Sequence, residues 1–171
     1  MTMETTKMLR IPSPVGELWL CVSERGLCGL GFDSTPDAAT VQRWQRHGLA
    51  EPVLESTALL ERAAAQLADY FARQRRDFDV PLDLRGTPFQ VAVWEALRTI
   101  PYGDATTYGK LAARLERPGA ARAVGRAVGA NPVAIILPCH RVLGQGDALT
   151  GYGGGLHRKV ALLSLEAIRQ T

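Results

Sequence analysis

The sequence predicts an α+β (α/β) fold in two parts: a small N-terminal unit on an antiparallel sheet, and a mostly helical C-terminal unit with a helix-turn-helix. Three observations carry this. Short β-prone runs separated by turn signals crowd the first third, whereas capped stretches with helical spacing fill the second half. Charge divides in the same place: residues 1–84 hold 9 Lys/Arg and 12 Asp/Glu, residues 85–171 hold 11 and 5. The extended, proline-containing stretch Val80-Pro81-Leu82-Asp83-Leu84-Arg85-Gly86 lies between them, so the domains are placed at 1–84, including the linker, and 85–171.

In order, Met8–Ile11, Glu17–Val22 and Leu27–Phe32 read as strands, parted by Pro12-Ser13-Pro14-Val15-Gly16 and Ser23-Glu24-Arg25-Gly26. A helix is expected from Ser56, as N-cap, to Arg73, with Leu59, Leu60, Ala63, Leu67 and Tyr70 at helical spacing. Thr87-Pro88 places a cap before an N1 proline, opening a helix whose face is Phe89, Val93, Trp94 and Leu97. After the turn Ile100-Pro101-Tyr102-Gly103, a helix capped by Thr106 or Thr107 runs to Leu115. Pro118-Gly119 breaks it before another from Ala120 to Gly129. A last helix is expected from Leu156 to Arg169.

Composition narrows the function classes. Apolar residues make up 46% of 171, and no apolar stretch approaches the length of about 18 that spans a bilayer. The start, Met1 to Lys7, has no apolar core of a secretory signal, so a soluble intracellular protein is expected, cytoplasmic and nucleoid-associated or, in a eukaryote, nuclear, with no membrane partner; a monomer is expected. Three sparse cysteines, Cys21, Cys28 and Cys139, argue against a disulfide framework, and Cys21 and Cys28 are not at zinc spacing, so no metal is expected. A basic half beside an acidic one suggests a face for a polyanion, with nucleic acid leading.

The chemistry concentrates late. Val133-Ala134-Ile135-Ile136-Leu137 delivers Pro138-Cys139-His140-Arg141-Val142, a thiol beside an imidazole and a guanidinium, both able to favour the thiolate. Adjacent side chains on extended backbone point apart, so contact between Cys139 and His140 needs a bridging water or a sharp turn. Glu166, on a partly apolar stripe with Lys159, Leu162 and Leu163, either orients His140, pairs with Lys159 or sits at an exposed edge. Arg141 can buttress structure or stabilise the thiolate. The helix from Ala120 is nearly all small residues, with Arg122 and Arg126 on one face. Its body can approach another backbone closely while the arginines meet phosphates or a base stack, or it is a packing helix with solvated arginines. Glycine-rich Thr150-Gly151-Tyr152-Gly153-Gly154-Gly155 lets backbone amides approach a bound group.

These residues carry a family resemblance. Thr87-Pro88-Phe89-Gln90, Val93-Trp94, Ile100-Pro101-Tyr102-Gly103, Thr107-Tyr108-Gly109, Ala120-Ala121-Arg122-Ala123-Val124-Gly125, Asn131-Pro132, Pro138-Cys139-His140-Arg141-Val142 and Leu149-Thr150-Gly151-Tyr152 resemble, in order, the O6-alkylguanine-DNA alkyltransferases. The resemblance implies a ribonuclease H-like first domain and no cofactor. It also implies irreversible transfer of an alkyl group from O6-alkylguanine, with O4-alkylthymine as a further candidate, in double-stranded DNA to Cys139. It implies that His140 deprotonates the thiol through water, that Glu166 holds His140 and that Tyr108 serves the departing guanine. Arg122 would fill the stack left by the flipped base, with Thr107, Ala123, Gly125 and Arg126 also at the DNA. Asn131, Val142, Tyr152 and Gly153 would brace and shape the pocket. Arg126 and Val128 stand where many bacterial relatives have a small residue and Asn, and Ala134 where some have a pocket proline; these departures bear on DNA contacts and on alkyl-group size. The zinc site of some members has no match here, and the family's inactive damage sensors lack the cysteine that this chain has. A cysteine hydrolase and a helix-turn-helix damage sensor are the competing readings.

Overall fold

The computed structural model describes residues 2–168, and the chain forms two compact units, Met1–Gly86 and Thr87–Thr171. In the first, β1 (Lys7–Ile11), β2 (Leu18–Val22) and β3 (Leu27–Phe32) form an antiparallel meander, with Met8 opposite Cys21 and Leu20 opposite Leu30. The sheet is not purely antiparallel. A short β4 (Val53–Leu54) adds in parallel to the outer side of β1, giving the order β3-β2-β1-β4. Two exposed residues show no alternation, so the sequence carries no strand signal there.

A helix absent from the sequence prediction, α1 (Ala38–Arg46), covers part of this sheet. Its signal was legible: the Asp37 carboxylate accepts from Thr40 N at 2.8 Å as an N-cap. α1 buries Trp44 edge-on to Trp19, centroids 5.7 Å apart. Gly29 and Gly31 of β3 leave room for these rings, because a Cβ at either would run into an indole. Cys21 and Cys28 lie in the same core, with burial and the neighbouring thiol holding Cys28 in its neutral form.

The second helix, α2 (Ala58–Phe71), is capped by Thr57 rather than Ser56 and ends two residues before Arg73. Leu60, Ala63, Leu67 and Tyr70 form its buried face, and Leu59 is half-buried. The extended stretch after it is stitched to β3: Leu27 N donates to Pro81 O at 2.8 Å and Asp83 N to Leu27 O at 2.9 Å. Arg85 then reaches Glu4 at 2.6 Å, Asp83 at 2.9 Å and the His47 carbonyl at 2.9 Å, so this segment belongs to the first unit.

In the second unit α3 (Pro88–Leu97) opens with a capping box. Thr87 Oγ1 accepts from Gln90 N at 3.1 Å, and the Gln90 side chain accepts from Thr87 N at 3.0 Å. It buries Val93, Trp94 and Leu97, and Trp94 Nε1 donates to Ala127 O at 2.8 Å. β5 (Thr106–Thr107) leads into α4 (Tyr108–Arg114), capped by Thr107; α5 (Ala121–Gly129) follows a turn in which Glu116 and Gly119 take φ of 60° and 93°. Val124, Ala127 and Val128 face inward, leaving Arg122 and Arg126 exposed. β6 (Val142–Leu143) pairs in parallel with β5, and α6 (Leu156–Ile168) closes the described chain. The expected helix end at Arg169 lies outside the described residues. Among the described residues no helix is long and apolar enough to cross a membrane.

Candidate active site and nucleic-acid interface

The apolar run before the cysteine is buried but not extended. Ile135 has φ 70°, Ile136 N donates to Ala134 O at 2.8 Å and Leu137 N to Val133 O at 3.0 Å, so the chain coils back on itself. Asn131 fixes this coil. Its Nδ2 donates to Leu137 O at 2.8 Å while its Oδ1 accepts from Val133 N at 3.0 Å. Cys139–Arg141 then form one 3₁₀ turn rather than extended chain, which is the sharp turn that neighbouring Cys and His side chains require.

Within that turn the side chains separate into two roles. His140, wholly buried, bonds through Nε2 to Glu166 Oε2 at 2.6 Å. Arg141 grips the same carboxylate, Nε to Oε1 at 2.8 Å and Nη2 to Oε2 at 3.0 Å, and its Nη1 donates to Ile100 O at 2.6 Å. Gly103 N adds a bond to Oε1 at 3.3 Å. Burial is the largest influence on Glu166 and acts upward, but the bonds and charges of His140 and Arg141 together hold its carboxyl well below the usual range. Burial pushes the His140 imidazole down, against the pull of Glu166, so the ring is neutral near pH 7. An ionised Glu166 only accepts, which puts the ring proton on Nε2 and leaves Nδ1 as the basic nitrogen. Nδ1 is buried and finds no hydrogen-bond partner among the described residues.

Cys139 is 8% exposed. Burial raises its thiol, opposed by hydrogen bonds with Asn131 and Tyr152 and by the charge of Lys159. The expected alternative of a Lys159–Glu166 pair is not formed: Lys159 Nζ instead donates to Val142 O at 2.7 Å and Thr150 O at 2.9 Å. Arg141 occupies the place at the carboxylate, as a buttress rather than a partner of the thiol.

An open hollow of about 640 Å³ lies between α4 and α5, lined by Thr107, Tyr108, Arg122 and Gly125, with Lys110 and Gln145. Tyr108 belongs to this hollow and to the thiol site. Its hydroxyl is raised first by burial and then by the Cys139 charge, while a bond with Thr150 pulls the other way. Arg122 is exposed at the rim. Gly125 has only Tyr108 nearby, 3.7 Å from where a Cβ would stand, so packing inside the protein does not demand a glycine there. Arg126, Ala123 and Gly153 are not among the lining residues, and Val128, 4% exposed, is a packing residue. Both main-chain groups of Val142 are engaged, its N–H by Cys139 O and its carbonyl by Lys159. Among the described residues no group of three or more His, Cys, Asp or Glu is placed to hold a metal.

The sequence pointed to no role for Lys110 or Gln145, and for Lys159 only to an ion pair with Glu166. Lys159 shows its signal as a lysine on an apolar helical stripe, but its carbonyl partners lie in β6 and in a loop that no periodicity reveals.

Fold and site define a class: a buried thiol backed by a histidine–carboxylate pair, seated behind a helix-turn-helix, with a small sheet unit preceding it. Residues 8–84 match the family model described as 6-O-methylguanine DNA methyltransferase, ribonuclease-like domain, and residues 88–168 the one described as 6-O-methylguanine DNA methyltransferase, DNA binding domain. The chain belongs to the 6-O-methylguanine DNA methyltransferase family. It is 40% identical over 158 residues, 92% of this chain and 84% of the relative, to the methylated-DNA--protein-cysteine methyltransferase of Haemophilus influenzae. With the protein of that name from Mycobacterium tuberculosis it shares 61% identity over 107 residues, 63% of this chain. That stretch spans 65% of the mycobacterial protein's length, just under two thirds. The crystal structure of Mycobacterium tuberculosis OGT in complex with DNA superposes with TM-score 0.81 at 46% identity, covering 95% of this chain and 94% of that one.

Proposed function

We propose that this protein repairs DNA by taking the alkyl group of O6-alkylguanine onto Cys139, in one irreversible event per molecule. The observation that carries the reading is Tyr108, shared between the hollow at the helix-turn-helix and the thiol site. A base swung out of a duplex docked on α5 enters beside this tyrosine and reaches the sulfur. Flipping is required because the O6 substituent lies within the stack. Arg122, exposed at the rim, fills the gap, and the small residues of α5 let the helix body approach the minor groove. The family membership and the DNA complex of the mycobacterial relative support the same reading.

In the chemical step Nδ1 of His140 accepts the thiol proton through a bridging water, with Glu166 stabilising the imidazolium that forms. The thiolate attacks the alkyl carbon, the C–O6 bond breaks with its electron pair going to guanine, and a hydrogen bond or proton from Tyr108 meets that charge. Asn131 and Tyr152 hold the sulfur in place. The thioether has no leaving group that water can displace, so the protein is consumed. Its substrate sets its location beside the chromosomal DNA, in the cytoplasm of a prokaryotic cell or the nucleus of a eukaryotic one.

The test is incubation with duplex carrying labelled O6-methylguanine. Label should accumulate on Cys139 to one equivalent per protein and vanish in Cys139→Ser. Repeated turnover would point to a hydrolase instead, and binding without transfer to a damage sensor.

A further inference from the structure

A second exposed arginine, Arg126, stands on α5 one turn beyond Arg122. Arg122 lines the hollow that admits the base, and Arg126 does not. Its guanidinium has no hydrogen-bond or ion-pair partner among the described residues. The neighbouring chain offers none, because no Asp or Glu occurs from Arg117 to Gly146. Four residues advance a helix by about 6 Å, and successive nucleotides of a duplex strand stand about 3.4 Å apart. With Arg122 at the flipped nucleotide, Arg126 faces the duplex about two base pairs away. The outward positions around it, Ala121, Ala123, Gly125 and Gly129, carry no atom beyond Cβ, and a Cβ at Gly125 would meet only Tyr108. The arginine stem therefore starts close to the floor of a minor groove only about 6 Å wide. Its guanidinium reaches base edges there without turning back to the phosphates at the rims.

We propose that Arg126 makes repair depend on the shape of the duplex beside the lesion: its guanidinium enters the minor groove and favours flanks where that groove is narrow, as in A·T-rich sequence. This rests on the docking of α5 in the minor groove proposed above, and adds to it a preference for flanking sequence. A narrow groove concentrates negative potential, and the weakly hydrated guanidinium is the side chain best drawn into it. G·C pairs set the guanine 2-amino group, a donor, on the groove floor where the guanidinium would lie.

The full-length protein, Arg126→Ala and Arg126→Lys are each reacted, at limiting concentration, with duplexes carrying labelled O6-methylguanine flanked by either G·C or hypoxanthine·C pairs. Hypoxanthine lacks only the 2-amino group of guanine, so the major groove is unchanged. All three proteins meet the same change in duplex stability, and the difference between their rate ratios belongs to Arg126. The wild-type ratio of hypoxanthine to guanine flanks should exceed that of Arg126→Ala about fivefold, the worth of one base-pair contact. Arg126→Lys keeps a charge for the phosphates and should lose most of that excess. Both substitutions are at an exposed helical position and keep good helix formers, and melting temperature checks that they fold. Equal ratios in wild type and Arg126→Ala would overturn the proposal. So would an Arg126→Ala that slows both duplexes alike and lowers the salt slope by about one, since that marks a phosphate contact alone. Transfer of label to Cys139 on either duplex judges the repair reading, and only the ratio judges Arg126.

Discussion

Replacing Glu166 by glutamine removes one acceptor from a carboxylate that receives hydrogen bonds from His140 at 2.6 Å, from Arg141 at 2.8 and 3.0 Å, and from Gly103 N at 3.3 Å. Whichever way the amide turns, its NH₂ faces an Arg141 N–H, Nε at the Oε1 position or Nη2 at the Oε2 position, and at Oε2 it also faces His140 Nε2. Facing Arg141, it sets donor against donor and leaves a buried cation without its counter-charge, which costs about 3–5 kcal/mol. For a unit of this size that lowers the melting temperature by at least about 10 °C. Facing His140, it donates to Nε2, moves the ring proton to Nδ1 and abolishes the base. The comparable carboxylate-to-amide change in a serine protease triad costs a factor on the order of 10⁴. Single-turnover transfer from labelled alkylguanine duplex should therefore fall on the order of 10²–10⁴-fold, and the pH–rate profile should lose the histidine limb. Calorimetry and quench-flow across pH 5–9 measure both. An unchanged melting temperature together with a wild-type profile would show that Glu166 neither holds Arg141 nor orients His140.

Arg122→Ala should slow repair of duplex DNA about 10- to 100-fold, the worth of one stacked filler, while sparing reaction with the free base O6-benzylguanine; equal losses on both substrates would remove the filler role. Stability should also fall in mild acid. His140 is held neutral when folded, so the unfolded chain binds more protons below about pH 6.5. The depressed Glu166 acts in the same direction: its contribution is complete above the ordinary glutamate range and is lost as pH falls below it. Melting temperature followed from pH 7.5 to 4 should decline from about pH 6.5 downward, and a flat profile over that range would contradict the assigned protonation states.

Much of the fold was legible because its signals are local. The β-meander, the Thr87 capping box and the Thr107 cap each rest on residues within a few positions of one another, where turn chemistry and periodicity act. The failures have the same cause in reverse. Ser56 and Thr57 are both competent caps, and only backbone geometry chooses between them. α1 offers a single buried residue, Trp44, too little for an apolar stripe although Asp37 marks its start. β4 exists only because β1 has an open edge to receive it.

For the site, chain order alone identified the thiol, its neighbouring imidazole and the arginine-bearing small helix, because the residue types carry the chemistry and sit in motifs. The sequence left Glu166 to His140, to Lys159 or to an exposed edge. Only the tertiary structure gave Glu166 both His140 and Arg141, the latter foreseen only as a buttress or thiolate stabiliser, and gave Lys159 the carbonyls. The physical reason is that a buried charge is settled by whatever acceptors the folded backbone brings within about 3 Å, and those lie 17 and 25 residues away in the chain. The same holds for Cys139: the reading of it as the reactive sulfur comes from the sequence, while the hydrogen bonds that Asn131 and Tyr152 make to it arise only once the chain folds.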